Sequence, residues 1–125
     1  MKVLLSIKPE YVEKIFTGEK KFEYRKSIFS RKNVKTVVIY CTMPVGKVVG
    51  EFQIGEILSA PPVEIWGITK EFAGVNEFFF HEYFKDKNLA HAIQIENIIV
   101  YNQAKTLNEI LRNNTAPQSF CYLDS

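Results

Sequence analysis

Gly18-Glu19-Lys20-Lys21-Phe22-Glu23-Tyr24-Arg25 packs three cations and two acids into eight residues, at the point where one hydrophobic period gives way to another. Upstream, residues 9–16 carry apolar side chains at 11, 12, 15 and 16, the stripe of a helix. Pro9 suits the first helical turn, Glu10 and Lys14 form an i,i+4 pair, and Gly18 is placed to end the helix in a left-handed conformation. Downstream, residues 20–26 alternate. Phe22 and Tyr24 face one side, and Lys21, Glu23 and Arg25 face the other, as in a half-buried strand. Glu23 and Arg25 therefore share a strand face, where a carboxylate can hold a guanidinium and turn it toward a phosphate or a planar base. The same spacing also suits a solvated face or a structural ion pair.

Working outward, residues 3–7 read as a short buried strand, residues 27–33 as a polar basic loop and residues 36–42 as a β-branched buried strand. Met43-Pro44-Val45-Gly46 turns the chain into a long strand over 48–58, in which Gly50 and Gly55 mark bulges or close approaches. A helix follows from Ala60-Pro61-Pro62 through Lys70, weakened by Gly67. Asn76 caps a second helix over 77–84, dense in Phe78, Phe79, Phe80, Tyr83 and Phe84. Residues 90–101 form another long strand, Thr106 caps a short helix through Arg112, and 115–123 is extended. The order β-α-β-β-β-α-α-β-α-β lacks the regular βαβ alternation of parallel sheets. It predicts an α+β fold: a single domain over 1–125 built as a small, mostly antiparallel barrel with flanking helices.

Composition narrows the function. The 125 residues are 46% hydrophobic and 24% charged, which is ordinary for a folded domain. Net charge is +2, but residues 1–50 hold 11 Lys/Arg against 4 Asp/Glu and residues 51–125 hold 5 against 10. Such asymmetry points to an anionic partner rather than a uniformly basic protein. It also predicts that the cations at 8, 20 and 25 and those of the loop share one face. Apolar runs are too short for a membrane span or a signal-peptide core, so a cytoplasmic location is expected. Cys41 and Cys121 are far apart and His81 and His91 follow no ligand spacing, so neither metal nor cofactor is expected.

Ser6-Ile7-Lys8-Pro9 followed by Gly18-x-Lys20-x-x-Glu23-x-Arg25 resembles the ASCH family, whose fold is PUA-like and whose signature is G-x-K-x-x-E-x-R. The resemblance continues through Tyr40, Pro44-Val45, Val49-Gly50-Glu51-Phe52, Trp66, Tyr83-Phe84, Ala92-Ile93 and Pro117-Gln118-Ser119-Phe120, and so covers essentially the whole chain. It is nearest to a short stand-alone group described as predicted regulators, which implies a role in RNA-related or transcriptional regulation. RNA or a modified nucleotide is the implied partner, in a cleft beside the helix that precedes the signature. Lys20, Glu23 and Arg25 match the signature and line that cleft by implication. Ser6 and Lys8 approach it, and Gln118 and Ser119 stand for its opposite wall. Lys26, Arg31, Lys32 and Lys35 extend it as peripheral phosphate contacts.

Two other readings stay open. Some members of the family are hydrolases, either ribonucleases or N4-acetylcytidine amidohydrolases. The latter use a Lys, a Thr and a Glu; here the Lys is Lys20, Glu23 stands at the Thr position, and Glu71 matches the Glu loosely. Lys20 and Glu23 are the catalytic candidates. A lysine base needs desolvation or a neighbouring cation such as Lys21 or Arg25, whereas Glu23 favours the charged, binding form. Tyr11, Phe22, Tyr24 and Tyr40 are candidates for a stacking platform. The helix from Phe78 to Phe84 has more rings than one amphipathic face can bury, which suits a protein-interaction module.

Overall fold

The computed structural model describes residues 1–112 and 115–123. Its elements are β1 (Lys2–Ile7), α1 (Pro9–Thr17), β2 (Phe22–Arg25), β3 (Thr36–Cys41), β4 (Lys47–Ala60), α2 (Pro62–Thr69), a 3-10 turn (Lys70–Phe72), α3 (Glu77–Tyr83), β5 (Ala90–Lys105), α4 (Leu107–Leu111) and β6 (Phe120–Leu123). The local signals act as read. Gly18 ends α1 at φ 86°, Asn76 caps α3 by accepting from the Phe79 N–H at 2.7 Å, and Thr106 caps α4 from Glu109 at 3.2 Å. β4 and β5 run longer than their apolar patterns. Their pairing shifts register at three places, so each strand bends along its length.

One six-stranded sheet has the order β2-β5-β4-β3-β1-β6. β1 and β3 are parallel, and every other pair is antiparallel. The expected barrel is not closed by a backbone ladder, because β2 and β6 are the outer strands. With four residues in each of those two strands, little backbone is left to pair. Side chains join the edges instead. Arg25 on β2 donates to the Ser119 carbonyl at 2.6 Å, and Tyr122 on β6 accepts from the backbone N–H groups of Ser30 and Arg31 at 3.0 and 3.2 Å.

Three apolar clusters follow from the alternation. Val3, Leu5, Ile7, Val12, Ile15, Val37, Ile39, Phe52 and Ile93 pack between the sheet and α1. Tyr24, Ile65, Phe80, Phe84, Ala90 and Ala92 pack α2 and α3 against β2 and β5. Leu4, Val38, Tyr40 and Val48 take the opposite side under Leu107 of α4. No helix among the described residues is long and apolar enough to cross a membrane.

Candidate ligand-binding cavity

The end of β1, the first turn of α1, the signature segment and α3 converge on a cavity of about 170 Å³. Ser6, Ile7 and Lys8 line it from β1 and the entry to α1. Lys20, Glu23, Tyr24 and Arg25 line it from the signature. The remaining wall is Tyr11 of α1 together with Val75, Phe79, Phe80 and Tyr83.

The polar groups are fixed in place. Arg25 donates from one nitrogen to the Ser6 carbonyl at 3.4 Å and to Glu23 Oε2 at 3.3 Å, and from the other to the Ser119 carbonyl. Its side chain is 13% exposed and that of Glu23 8%, so this is a nearly buried pair and not a solvated strand face. Glu23 lines the cavity, and its Oε1 makes no hydrogen bond among the described residues.

Lys20 is 2% exposed. Its ammonium donates to the Ala73 carbonyl at 2.7 Å and lies over the rings of Tyr24 and Tyr11 at 4.5 and 5.5 Å. Burial pulls its pKa down to about 8; Glu23 opposes the shift and Lys14 adds to it. The neighbouring cation is thus Lys14, itself held by the Gly74 carbonyl at 3.0 Å. Lys21, the expected neighbour, turns away over Phe72 at 4.3 Å. Gly74 explains how the loop comes so close. Its φ is +71°, and a Cβ there would sit 2.7 to 2.9 Å from Lys20 Cβ, Cγ and Cδ.

Aromatic faces surround these groups. Phe79 and Tyr83 lie nearly parallel (10°) with centroids 6.4 Å apart, and Tyr11 tilts against Phe79 at 6.1 Å. Burial raises the pKa of Tyr11 and Tyr83, and that of Tyr24 to about 12, so all three phenols keep their protons at neutral pH. The Phe-rich helix thereby divides its rings. Phe84 is core, Phe80 is buried and also lines the cavity beside Phe79 and Tyr83, and Phe78 points outward at 77% exposed.

Not every expected residue meets here. Ser119 reaches the site through its carbonyl behind Arg25, and Gln118 is exposed; neither lines the cavity. Ser6 donates its hydroxyl to the Pro117 carbonyl at 2.9 Å. Tyr40 packs in the cluster under α4 and Phe22 packs beside Tyr24 without lining the cavity, so of the expected platform Tyr11 and Tyr24 remain. Glu71 is exposed on the 3-10 turn away from the cavity, so the Lys, Glu23 and Glu71 set is not assembled. Of the loop cations, Lys26 reaches the rim, 4.5 Å over the Tyr83 ring. Arg31, Lys32 and Lys35 line a separate groove of about 390 Å³. Val75, Phe79 and Tyr83 were missed as site residues; the i,i+4 spacing of Phe79 and Tyr83 after the Asn76 cap was the available signal. Among the described residues, no group of three or more His, Cys, Asp or Glu could hold a metal.

A family profile described as the ASCH domain matches residues 5–99. An ASCH domain-containing ribonuclease of Zymomonas mobilis is 27% identical over 122 residues, 96% of this chain and 82% of that protein. The crystal structure of ASCH from Zymomonas mobilis matches with a TM-score of 0.89 at 25% identity, over 98% of this chain and 87% of the other. In Ureaplasma parvum serovar 3, ATP synthase subunit alpha and large ribosomal subunit protein uL22 are 28% and 27% identical over 97% of this chain. The chain spans 15% and 39% of the length of those two relatives.

Proposed function

The chain belongs to the ASCH domain family, and from that premise we propose that it binds RNA by taking one unpaired base or nucleotide into the cavity, as part of RNA-related or transcriptional regulation. The observation that carries this is the pairing of a base-sized space with opposed chemistries on its wall: the Glu23 acceptor, the Arg25 and Lys20 cations and the Tyr11, Tyr24, Phe79 and Tyr83 rings. A volume of about 170 Å³ is below the roughly 300 Å³ at which drug-sized pockets begin. It suits one ring system with its substituents. Rings stack on a base, Glu23 Oε1 accepts from an amino or ring N–H, and the cations face carbonyl or phosphate oxygens. Lys8 at the rim adds a donor toward the sugar and phosphate, while the Ser6 hydroxyl already donates to the Pro117 carbonyl. The name of the Zymomonas relative, a ribonuclease, is consistent with an RNA partner.

The test is fluorescence titration with the four ribonucleoside monophosphates. Binding that falls at least tenfold in Glu23→Gln and in Lys20→Met supports the reading; the absence of binding to any of the four rejects it.

A hydrolytic reading is favoured by one observation, the depressed pKa of Lys20. A pKa of about 8 leaves roughly a tenth of the side chain neutral at pH 7. Cleavage of single-stranded RNA, or turnover of N4-acetylcytidine, that is lost in Lys20→Ala would establish it.

A further inference from the structure

The charges of the cavity are compensated within the protein. Arg25 is paired with Glu23, Lys20 is held by the Ala73 carbonyl and Lys14 by the Gly74 carbonyl. The groove beyond it differs. Lys32 and Lys35 are exposed, and the ion pairs among the described residues, Lys2–Glu51, Glu23–Arg25 and Glu77–His81, involve neither. Arg31 is fixed without being neutralised: its guanidinium lies 4.1 Å over the Tyr122 ring, with Nη1 3.5 Å from Met1 Sδ. Beneath these cations the groove is apolar, with Ile28, Val34, Ile54 and Ile57. The consecutive N–H groups of Ser30 and Arg31 converge on one oxygen, that of Tyr122, and the pKa of that phenol is lowered. The spot therefore favours negative charge.

The groove also lies close to the cavity. Arg25 holds the Ser119 carbonyl and Arg31 lies over Tyr122. Two residues, Phe120 and Cys121, lie between those two anchors, so three rises of extended chain span roughly 10 Å. Lys26, over the Tyr83 ring at the cavity rim, begins the loop that leads from one to the other.

We infer that the groove of Arg31, Lys32 and Lys35 is a second subsite, which takes the phosphates of a single RNA strand whose base occupies the cavity. The inference rests on the base-binding reading of the cavity. It divides the work: the cavity selects the base, and the groove supplies most of the counterion release. The preferred partner is then a short single strand of about four nucleotides, the lower end of known single-strand site sizes, which binds more tightly than a free nucleotide.

The experiment compares nucleoside monophosphates with a fluorescein-labelled single-stranded RNA hexamer of mixed sequence, from about 50 to 300 mM salt, the range in which counterion release dominates. The wild type is set beside the triple variant Arg31→Ala, Lys32→Ala, Lys35→Ala. For the hexamer, the slope of log affinity against log salt should shrink by about two in the triple variant, at roughly 0.7 per phosphate contact on a single strand. Monophosphate affinity should not change. An unchanged hexamer slope overturns the groove, as does a duplex of the same sequence binding as well as the single strand. Lys20→Met reports separately. If monophosphate binding is absent or indifferent to Lys20→Met while the triple variant still loses hexamer affinity, the cavity reading fails and the phosphate groove stands. The three substituted side chains are exposed, and an unchanged thermal midpoint shows that the variant is folded.

Discussion

The Arg25 guanidinium donates to the Ser119 carbonyl at 2.6 Å, so a side chain on one outer strand holds the segment that leads into the other. The same guanidinium bonds the Ser6 carbonyl and Glu23. One residue therefore ties β1, β2 and the approach to β6 together at the mouth of the cavity, where no backbone ladder joins β2 to β6. The fork geometry matters here, because a lysine ammonium cannot reach three acceptors in fixed directions.

Arg25→Ala removes this tie and leaves the Glu23 carboxylate buried without its cation. Breaking a buried pair from one side costs about 3–5 kcal/mol, and with both groups still slightly exposed a loss near the lower end, about 3 kcal/mol, is expected. Urea unfolding measures it. Adding Glu23→Gln should recover part of the loss, since a neutral amide is less costly to leave without that partner. Equal stability of Arg25→Ala and the parent would show that the tie carries no weight.

Gly74→Ala tests the closeness of the loop to Lys20. The new Cβ needs a positive φ and meets the Lys20 stem at 2.7 to 2.9 Å, near its root rather than its flexible end. A loss of about 1–3 kcal/mol is expected from strain and overpacking together. The Lys20–Ala73 and Lys14–Gly74 contacts lie on this loop, so monophosphate affinity should fall as well. Gly67→Ala, where a Cβ meets open space in α2, is the contrast and should stabilise slightly.

How much of this was legible depends on whether the deciding partner is local. Pro9, Gly18, Asn76 and Thr106 act on their own turn of helix, and their effects could be read directly. The shared face of Glu23 and Arg25 follows from strand geometry alone. The burial of Lys20 does not: it is set by the Ala73 carbonyl, 53 residues away, and by a glycine that lets the loop close over it. The rings of α3 are sorted by what each meets in three dimensions, which spacing left undecided. Ser119 shows a third limit. It contributes its carbonyl, and residue identity says little about which backbone oxygen will be used. The barrel is the same lesson at larger scale. Strand count and bends were visible, but the outer pair is joined by side chains.

The rings give a prediction that separates site from surface. Tyr83→Leu keeps bulk against Phe84, whose ring centroid is 4.8 Å away, and removes the face opposed to the cavity and to Lys26. Base affinity should drop about 5- to 150-fold, the equivalent of about 1–3 kcal/mol of stacking. Phe78→Ala, outside the cavity and largely exposed, should leave affinity unchanged. A Phe78 effect as large as that of Tyr83 would move the binding surface to the outer side of α3.

Lys20 makes stability depend on alkaline pH in a direction opposite to common experience. Its ammonium is disfavoured in the folded state, with a pKa of about 8 against 10.5 when unfolded. Between those values the unfolded chain binds more protons than the folded one, so stability rises with pH across the window. The penalty is fully present below pH 8 and is relieved toward 10.5, to the extent of about 3 kcal/mol if the shift is complete. Tyr24 acts in the other direction. Its folded pKa near 12 lies above the unfolded 10, so its contribution is lost above pH 10, and the Lys20 effect is cleanest from 8 to 10. Urea midpoints taken across that range should rise in the parent relative to Lys20→Met, in which the titrating group is gone. Ligand binding should move the opposite way. A nucleoside monophosphate bound through the Lys20 cation loses affinity over the same range in the parent and keeps it in Lys20→Met. Parallel stability profiles for the two proteins would mean that Lys20 titrates as a solvated lysine, and the desolvated site would have to be abandoned.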